Sequence, residues 1–336
     1  MSEKNFYSSK MPLILDIQPI WDDGLTNCLD ALLQAYAKWR RTDYELMYVD
    51  NWKFEFSQKK TSGFGIWKRG NVAARLYFDD KLHVLSNLAK FHGIQLEMKE
   101  YDRNSALSTV DVTLRKGQPV LISVDTYNIP WLERFYKRIH SSHRIMIVGK
   151  NSEREYYCND TRPYMMQPIK AGKISEDFIF CKEKLILGLF SESDCYKSID
   201  EIKNAVLENL DYDMFKKMRE FSLFLSKEEI SYAEFAEFDG GIGIVLRAIR
   251  NIVRARCHYL EMLKYLNRKG YIIGDGELFY NYQKVIENWT VVKNLFYKIT
   301  FTHDYWEYNN RISQIIRETS VIEEKTANTL IKRLNN

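Results

Sequence analysis

The sequence predicts an α+β protein, with helices leading into antiparallel strands in its first half and an all-helical second half. Three observations carry this. Residues 27–39 have the apolar spacing of a helix. From residue 117 short apolar runs alternate with turn residues, and beyond 197 helical periodicity continues almost unbroken. At 336 residues the chain has room for two domains, each of ordinary size at about 100 to 200 residues. The change of period near 190–197 has no Gly/Ser tether, so the expected domains are 1–190 and 197–336.

The first element is NCLDALLQAYAKW, in which Cys28, Leu32, Ala35 and Trp39 form one stripe with Leu29, Leu33 and Tyr36 beside it. Thr26 or Asn27 can cap it, which places Cys28 in the first turn, where free amide groups and the helix dipole favour negative charge. Residues 44–56, YELMYVDNWKFEF, alternate loosely and are rich in aromatics, and KKTSGFG reads as a loop. DKLHVLSNLAKFH predicts a second helix stopping at Gly93. GQPVLISVD, SHRIMIVGK and REYYCNDTRP then predict three strands, and FIFCKEKLILGLF a last strand crossing into the next domain. In the second half, IDEIKNAVLENL, DMFKKMREFSLFL, SYAEFAEF, IGIVLRAIRNIVRARCHYLEMLKYLNRKG and QKVIENWTVVKNLFYKI read as a helical bundle.

Composition narrows the function classes. With 49 basic and 45 acidic residues the net charge is +4, too balanced to predict nucleic-acid binding. The apolar run near the start is short and broken by Asp16 and Pro19, and no stretch reaches the length of a membrane span, so neither a signal peptide nor a membrane partner is expected. The five cysteines form no CxxC pair and are odd in number, which suits free thiols in a reducing compartment, the cytoplasm. No HExxH or Cys/His finger spacing occurs, and no metal is expected.

A cysteine nucleophile needs a depressed pKa, a base, and a group that orients the base. Cys28 at a helix start, His143 opening a strand and Asp160 ending the next strand supply that set. His140 is a rival base; His143 is preferred because it abuts a strand. Each has an ordinary alternative, since a cysteine on an amphipathic helix is commonly a core residue and Asp in NDTRP commonly a turn former. Asp125, Tyr127 and Trp131 follow a strand into a Pro-containing turn and are candidate substrate-site walls. Arg247, Arg250 and Arg254 make a basic stripe at i, i+3, i+7, in a run that also includes Arg256. A solvated or acid-paired face is the usual reading of such a stripe. DGGIGIVL lacks the GK[ST] ending of a phosphate loop.

The stretches NCLDALLQAYAKW, YELMYVDNWKFEF, KFHGIQL, GQPVLISVDTYNIPW, SHRIMIVGK and YYCNDTRPY, spanning roughly half the chain over residues 15–170, resemble the family of the N-terminal domain of the butirosin biosynthesis protein BtrH, in the C39-like papain superfamily. That resemblance implies a papain-like fold and an acyltransferase of secondary metabolism. Such an enzyme takes an acyl group from an acyl or peptidyl carrier protein through Cys28, with His143 as base and Asp160 as orienter, and delivers it to an amine. It implies no resident cofactor, since phosphopantetheine arrives on the carrier, and Arg247, Arg250 and Arg254 become candidates for carrier docking. The helical half is then a lid, a docking platform or a homodimer interface. Two departures stand out. Asp22 occupies the position where papain-like enzymes carry an oxyanion-binding Gln, leaving Gln18, Thr26 and Asn27 as candidate second donors beside the Cys28 amide, and Leu29 replaces the usual Gly after the cysteine. A peptidase or thioesterase, and a non-catalytic adaptor of the same fold, are the competing expectations.

Overall fold

The computed structural model describes residues 14–20, 27–58, 72–77, 83–151, 153–161, 168–235, 243–273 and 276–335. In chain order the described elements begin with α1 (Cys28–Arg40), β1 (Glu55–Phe56), β2 (Leu76–Tyr77), α2 (His83–His92), β3 (Ile94–Asp102) and α3 (Arg103–Arg115). They continue with β4 (Val120–Asp125), β5 (Ser142–Lys150), β6 (Glu155–Asp160), β7 (Ile169–Ser175), α4 (Glu176–Ile179) and β8 (Lys184–Glu192). The helices α5 (Ile199–Glu208), α6 (Asp213–Lys227), α7 (Ile244–Arg268), α8 (Gly276–Thr302) and α9 (Tyr305–Leu334) follow. The architecture is α+β, antiparallel sheet with helices, and the C-terminal part is helical. No helix among the described residues is long and apolar enough to cross a membrane.

Two compact units emerge, and they are not the continuous halves 1–190 and 197–336. One comprises Met1–Asp43 with Gly93–Asp194; the other comprises Tyr44–His92 with Cys195–Asn336. The junction at Asp194 falls inside the expected stretch, but residues 44–92 group with the helical half. The reason lies in their aromatics: Trp52, Phe54 and Phe56 are buried against Phe215, Phe221, Phe224, Tyr259, Tyr282 and Trp289, within that same unit. The strand-like alternation of 44–56 yields only a 3-10 turn, Glu45–Tyr48, and the two-residue β1. The helix predicted over 80–92 is described from His83 and ends at Gly93, whose φ of 70° is the left-handed stop glycine supplies without strain. The loops KKTSGFG and DGGI lie outside the described residues.

The sheet unit is built on six antiparallel strands in the order β3-β8-β4-β5-β6-β7. β8 is the last strand before the second unit, as expected, and it lies inside the sheet, hydrogen-bonded to both β3 and β4. On one face Val120, Ile122, Ile145, Ile147 and Cys158 pack under Ala106, Val110 and Leu114 of α3 in a continuous apolar core. At about 25 cal/mol per Å² of apolar area removed from water, burial of this face stabilises the unit. α1 is buried from Leu29 to Ala37 and anchored at its far end, where Tyr36 stacks on Phe190 at 3.7 Å and donates to Glu192 at 2.6 Å. Arg40 pairs with the same carboxylate at 2.6 Å. α1 stops at Arg41, in a left-handed conformation with φ 58° whose N–H bonds back to Lys38.

The helical unit has a polar centre. Glu323 of α9 accepts from the indole N–H groups of Trp52 at 2.6 Å and Trp289 at 2.9 Å, and pairs with Arg256 at 3.0 Å. All four side chains are fully buried. Arg256 thus belongs to the core and not to a basic face.

Candidate active site

α1 begins where its cap dictates. Asn27 accepts the Asp30 N–H on its side-chain oxygen at 2.8 Å and donates its amide to the Asp30 carboxylate at 2.9 Å, closing the first turn around Cys28. Cys28 is the first residue of the helix, where the helix dipole favours negative charge. Cys28 is half-buried and a free thiol.

β5 brings the base. Its ladder with β4 pairs Val124 with His143 and Asp125 with Ser142, which fixes His143 one step from the strand end. The His143 side chain is buried, and its Nε2 lies 2.7 Å from Oδ1 of the equally buried Asp160. With Nε2 so engaged, the hydrogen bond between His143 and the Cys28 thiol falls to the other ring nitrogen. Asp160 ends β6, and the β6–β7 ladder shifts register between Cys158 and Asp160. Such a bulge re-aims a side chain beside a site. Asn159 pins it, donating to the Ile17 carbonyl at 2.7 Å and accepting from the Ala171 N–H at 2.8 Å, with Ala171 held at φ 50°. The second carboxylate oxygen of Asp160 accepts the indole N–H of Trp131 at 2.7 Å. Gly172 makes room for that indole: a Cβ there would stand 3.0 Å from the ring.

Charge follows from this chain of contacts. Burial disfavours the Cys28 thiolate, yet the hydrogen bond and charge of His143, helped by the backbone N–H and charge of Arg144, hold the thiol below its ordinary value. Burial likewise disfavours the imidazolium, but Asp160, with Cys28 behind it, pushes His143 up to about 9. Cys158, a few residues away on the core face, shows the opposite case: burial and the Asp160 charge drive its thiol well above normal. The two cysteines differ in whether a cation faces them.

Of the sequence-derived candidates, Cys28, His143, Asp160 and Trp131 meet in one chain of hydrogen bonds. His140 does not join them. It is largely exposed, its Nδ1 lies 2.8 Å from Asp125, and its ring stacks on Tyr127 at 4.3 Å. Asp125, Tyr127 and His140 thus form their own cluster in the β4–β5 connection, where Asp125 also accepts the Tyr127 N–H at 3.1 Å. Gln18 is exposed with its amide on Asp16 at 2.7 Å, and the Asn27 amide is engaged with Asp30, so neither stands free as an oxyanion donor. Thr26 and Asp22 lie outside the described residues. Arg247, Arg250 and Arg254 lie half-buried on α7, in the helical unit. His258, on the same helix, is buried and driven down to about 3 by burial and Arg254, as befits a structural histidine. Sequence reading missed Asn159 and Arg144; for Arg144 the signal was a charge inside the otherwise apolar run of SHRIMIVGK.

Residues 28–161 match the model of one protein family, described as butirosin biosynthesis protein H, N-terminal. The match opens on Cys28 and closes one residue after Asp160, and so spans the whole hydrogen-bonded set. It also runs through Tyr44–His92, which group with the helical unit. No curated protein matches the chain.

Proposed function

Since residues 28–161 belong to the butirosin biosynthesis protein H N-terminal family, we propose that this protein is a cysteine-dependent acyltransferase of a biosynthetic pathway, acting on a carrier-protein thioester and an amine. The observation that carries the reading is the Cys28–His143–Asp160 chain, in which a half-buried thiol faces a buried His–Asp pair. A thiolate beside an imidazolium at a helix start, on a sheet with α1 packed against it, is the arrangement of papain-like catalysis.

In the proposed cycle the Cys28 thiolate attacks the thioester carbonyl, and first-turn amides of α1, that of Cys28 among them, receive the developing oxyanion. On collapse the carbon–sulfur bond to the carrier breaks. The leaving thiolate takes the proton from His143, leaving an acyl-Cys28 and a neutral imidazole. The amine then attacks the acyl carbon, His143 accepts its proton, and release of the amide restores thiolate and imidazolium. Asp160 stabilises the imidazolium and fixes the ring throughout, and Trp131 fixes Asp160. Water in place of the amine would make the same acyl-enzyme a thioesterase or peptidase intermediate. Arg247, Arg250 and Arg254 remain candidates for the acidic carrier.

Mixing the protein with an acyl-loaded carrier protein and reading intact mass tests the proposal. The expected result is an acyl adduct on Cys28 that an amine discharges faster than water does. An absence of adduct with carriers from the protein's own gene neighbourhood contradicts it, and discharge by water alone reassigns it to hydrolysis.

A further inference from the structure

Arg144 is the covalent neighbour of His143 in β5, and strand alternation sends the two side chains to opposite faces. It adjoins the base that faces Cys28, and its backbone N–H and its charge are among the causes that lower the Cys28 thiol. Its side chain differs from the paired cations of the sheet unit. Lys150 has Asp111 at 3.1 Å and Glu176 at 3.2 Å, Arg40 has Glu192, and Arg154 has Glu176. Among the described residues Arg144 has no such carboxylate, and its Nε is buried with no hydrogen-bond partner. A buried donor left unpaired costs about 1–3 kcal/mol, and such costs persist where a ligand supplies the missing acceptor.

We propose that Arg144 is a specificity residue that binds a carboxylate carried on the acyl chain, so that the protein selects acidic acyl groups. This rests on the reading of Cys28 as the acylated nucleophile. The guanidinium is a planar fork matched to a carboxylate, and it belongs to the covalent neighbour of the base that faces the sulfur carrying the acyl group. Its anion therefore lies a few bonds from the acyl carbonyl. The phosphate of a carrier's pantetheine arm sits at the opposite end of that arm and is the wrong source.

Alkylation of Cys28 by iodoacetate and by iodoacetamide tests this, because the two reagents share a reactive carbon and differ in carboxylate against amide. We expect the iodoacetate-to-iodoacetamide rate ratio at Cys28 to exceed that at exposed Cys181, to fall about tenfold or more in Arg144→Gln, and to recover partly in Arg144→Lys. A thermal melt of each variant shows that it is still folded, and the ratio cancels any change in the thiolate fraction that both reagents share. A ratio unchanged in Arg144→Gln overturns the proposal. If neither reagent modifies Cys28 in the native protein, the nucleophile reading fails by itself, and calorimetric titration with succinate then decides on Arg144. Binding weakened about tenfold or more in Arg144→Gln supports the carboxylate site, whereas equal binding, or none to the native protein, overturns it.

Discussion

Nε2 of His143 stands 2.7 Å from Oδ1 of Asp160, both side chains buried, and this pair sets the charge state of the site. His143 is held protonated up to about 9 against an ordinary 6.5, so its pairing stabilises the fold fully below pH 6.5, and that stabilisation is lost as pH rises through about 9. In Asp160→Asn the carboxylate that raises the imidazole is gone. The alkaline limb of the activity profile should then move down from about 9, and turnover should drop by roughly 10²–10⁴-fold with the fold retained. A pH–rate series on both proteins checks the shift, and an unmoved alkaline limb speaks against Asp160 as the orienting group.

Trp131 reaches the same carboxylate from the other side at 2.7 Å. Trp131→Phe keeps most of the packing and deletes one charge-assisted hydrogen bond, an expected loss of about 1.5–3 kcal/mol of stability. Denaturant unfolding should show that loss, together with a slower Cys28 alkylation as the His143 ring loosens. A variant equal to the native protein in both would remove Trp131 from the positioning chain.

At the head of α1, Asn27→Ala deletes the cap that accepts the Asp30 N–H. The expected cost is about 1 kcal/mol, and Asn27→Ser, which keeps a cap acceptor without setting a second carboxylate against Asp30, should retain most of the stability. Thermal unfolding of the two variants provides the comparison; equal melting temperatures for Ala and Ser would exclude the cap as the ordering device.

In the helical unit, Glu323→Ala strands the fully buried Arg256 and leaves two indole N–H groups without their acceptor. A loss of about 3–5 kcal/mol is expected, visible as a lower urea midpoint. The double variant Glu323→Leu with Arg256→Met should recover part of it by removing both charges together.

How much of this was legible in the sequence depends on how local each feature is. α1, with its cap beside Cys28, and the strand of SHRIMIVGK are written in short-range periodicity and came out with the boundaries expected. β3 did not: as an edge strand it alternates Leu96 and Met98 with Glu97 and Lys99, charges that protect an open edge and blur the apolar signal. The central place of β8 is a matter of long-range pairing, on which local pattern is silent. α9 buries Thr319, Ser320, Glu323 and Thr326 along its inner face, so its core side reads as polar. The allegiance of Tyr44–His92 turns on which aromatics Trp52 and Phe54 meet far along the chain. At the site, the choice between His140 and His143 rested on strand proximity, and each proved to have its own aspartate. The missing partner of Arg144 is visible only in three dimensions.

Whether Cys28 is a thiolate paired with His143 is decided by the pH dependence of its alkylation by iodoacetamide. Peptide mass spectrometry can follow Cys28 with Cys158 as the opposite control, the one thiol held below its ordinary value and the other well above it. The expected result is a Cys28 rate that reaches its plateau at lower pH than an ordinary thiol's and is sharply reduced in His143→Ala, while Cys158 stays inert in the native protein. A Cys28 rate that climbs only as an ordinary thiol deprotonates, unchanged in His143→Ala, would contradict it.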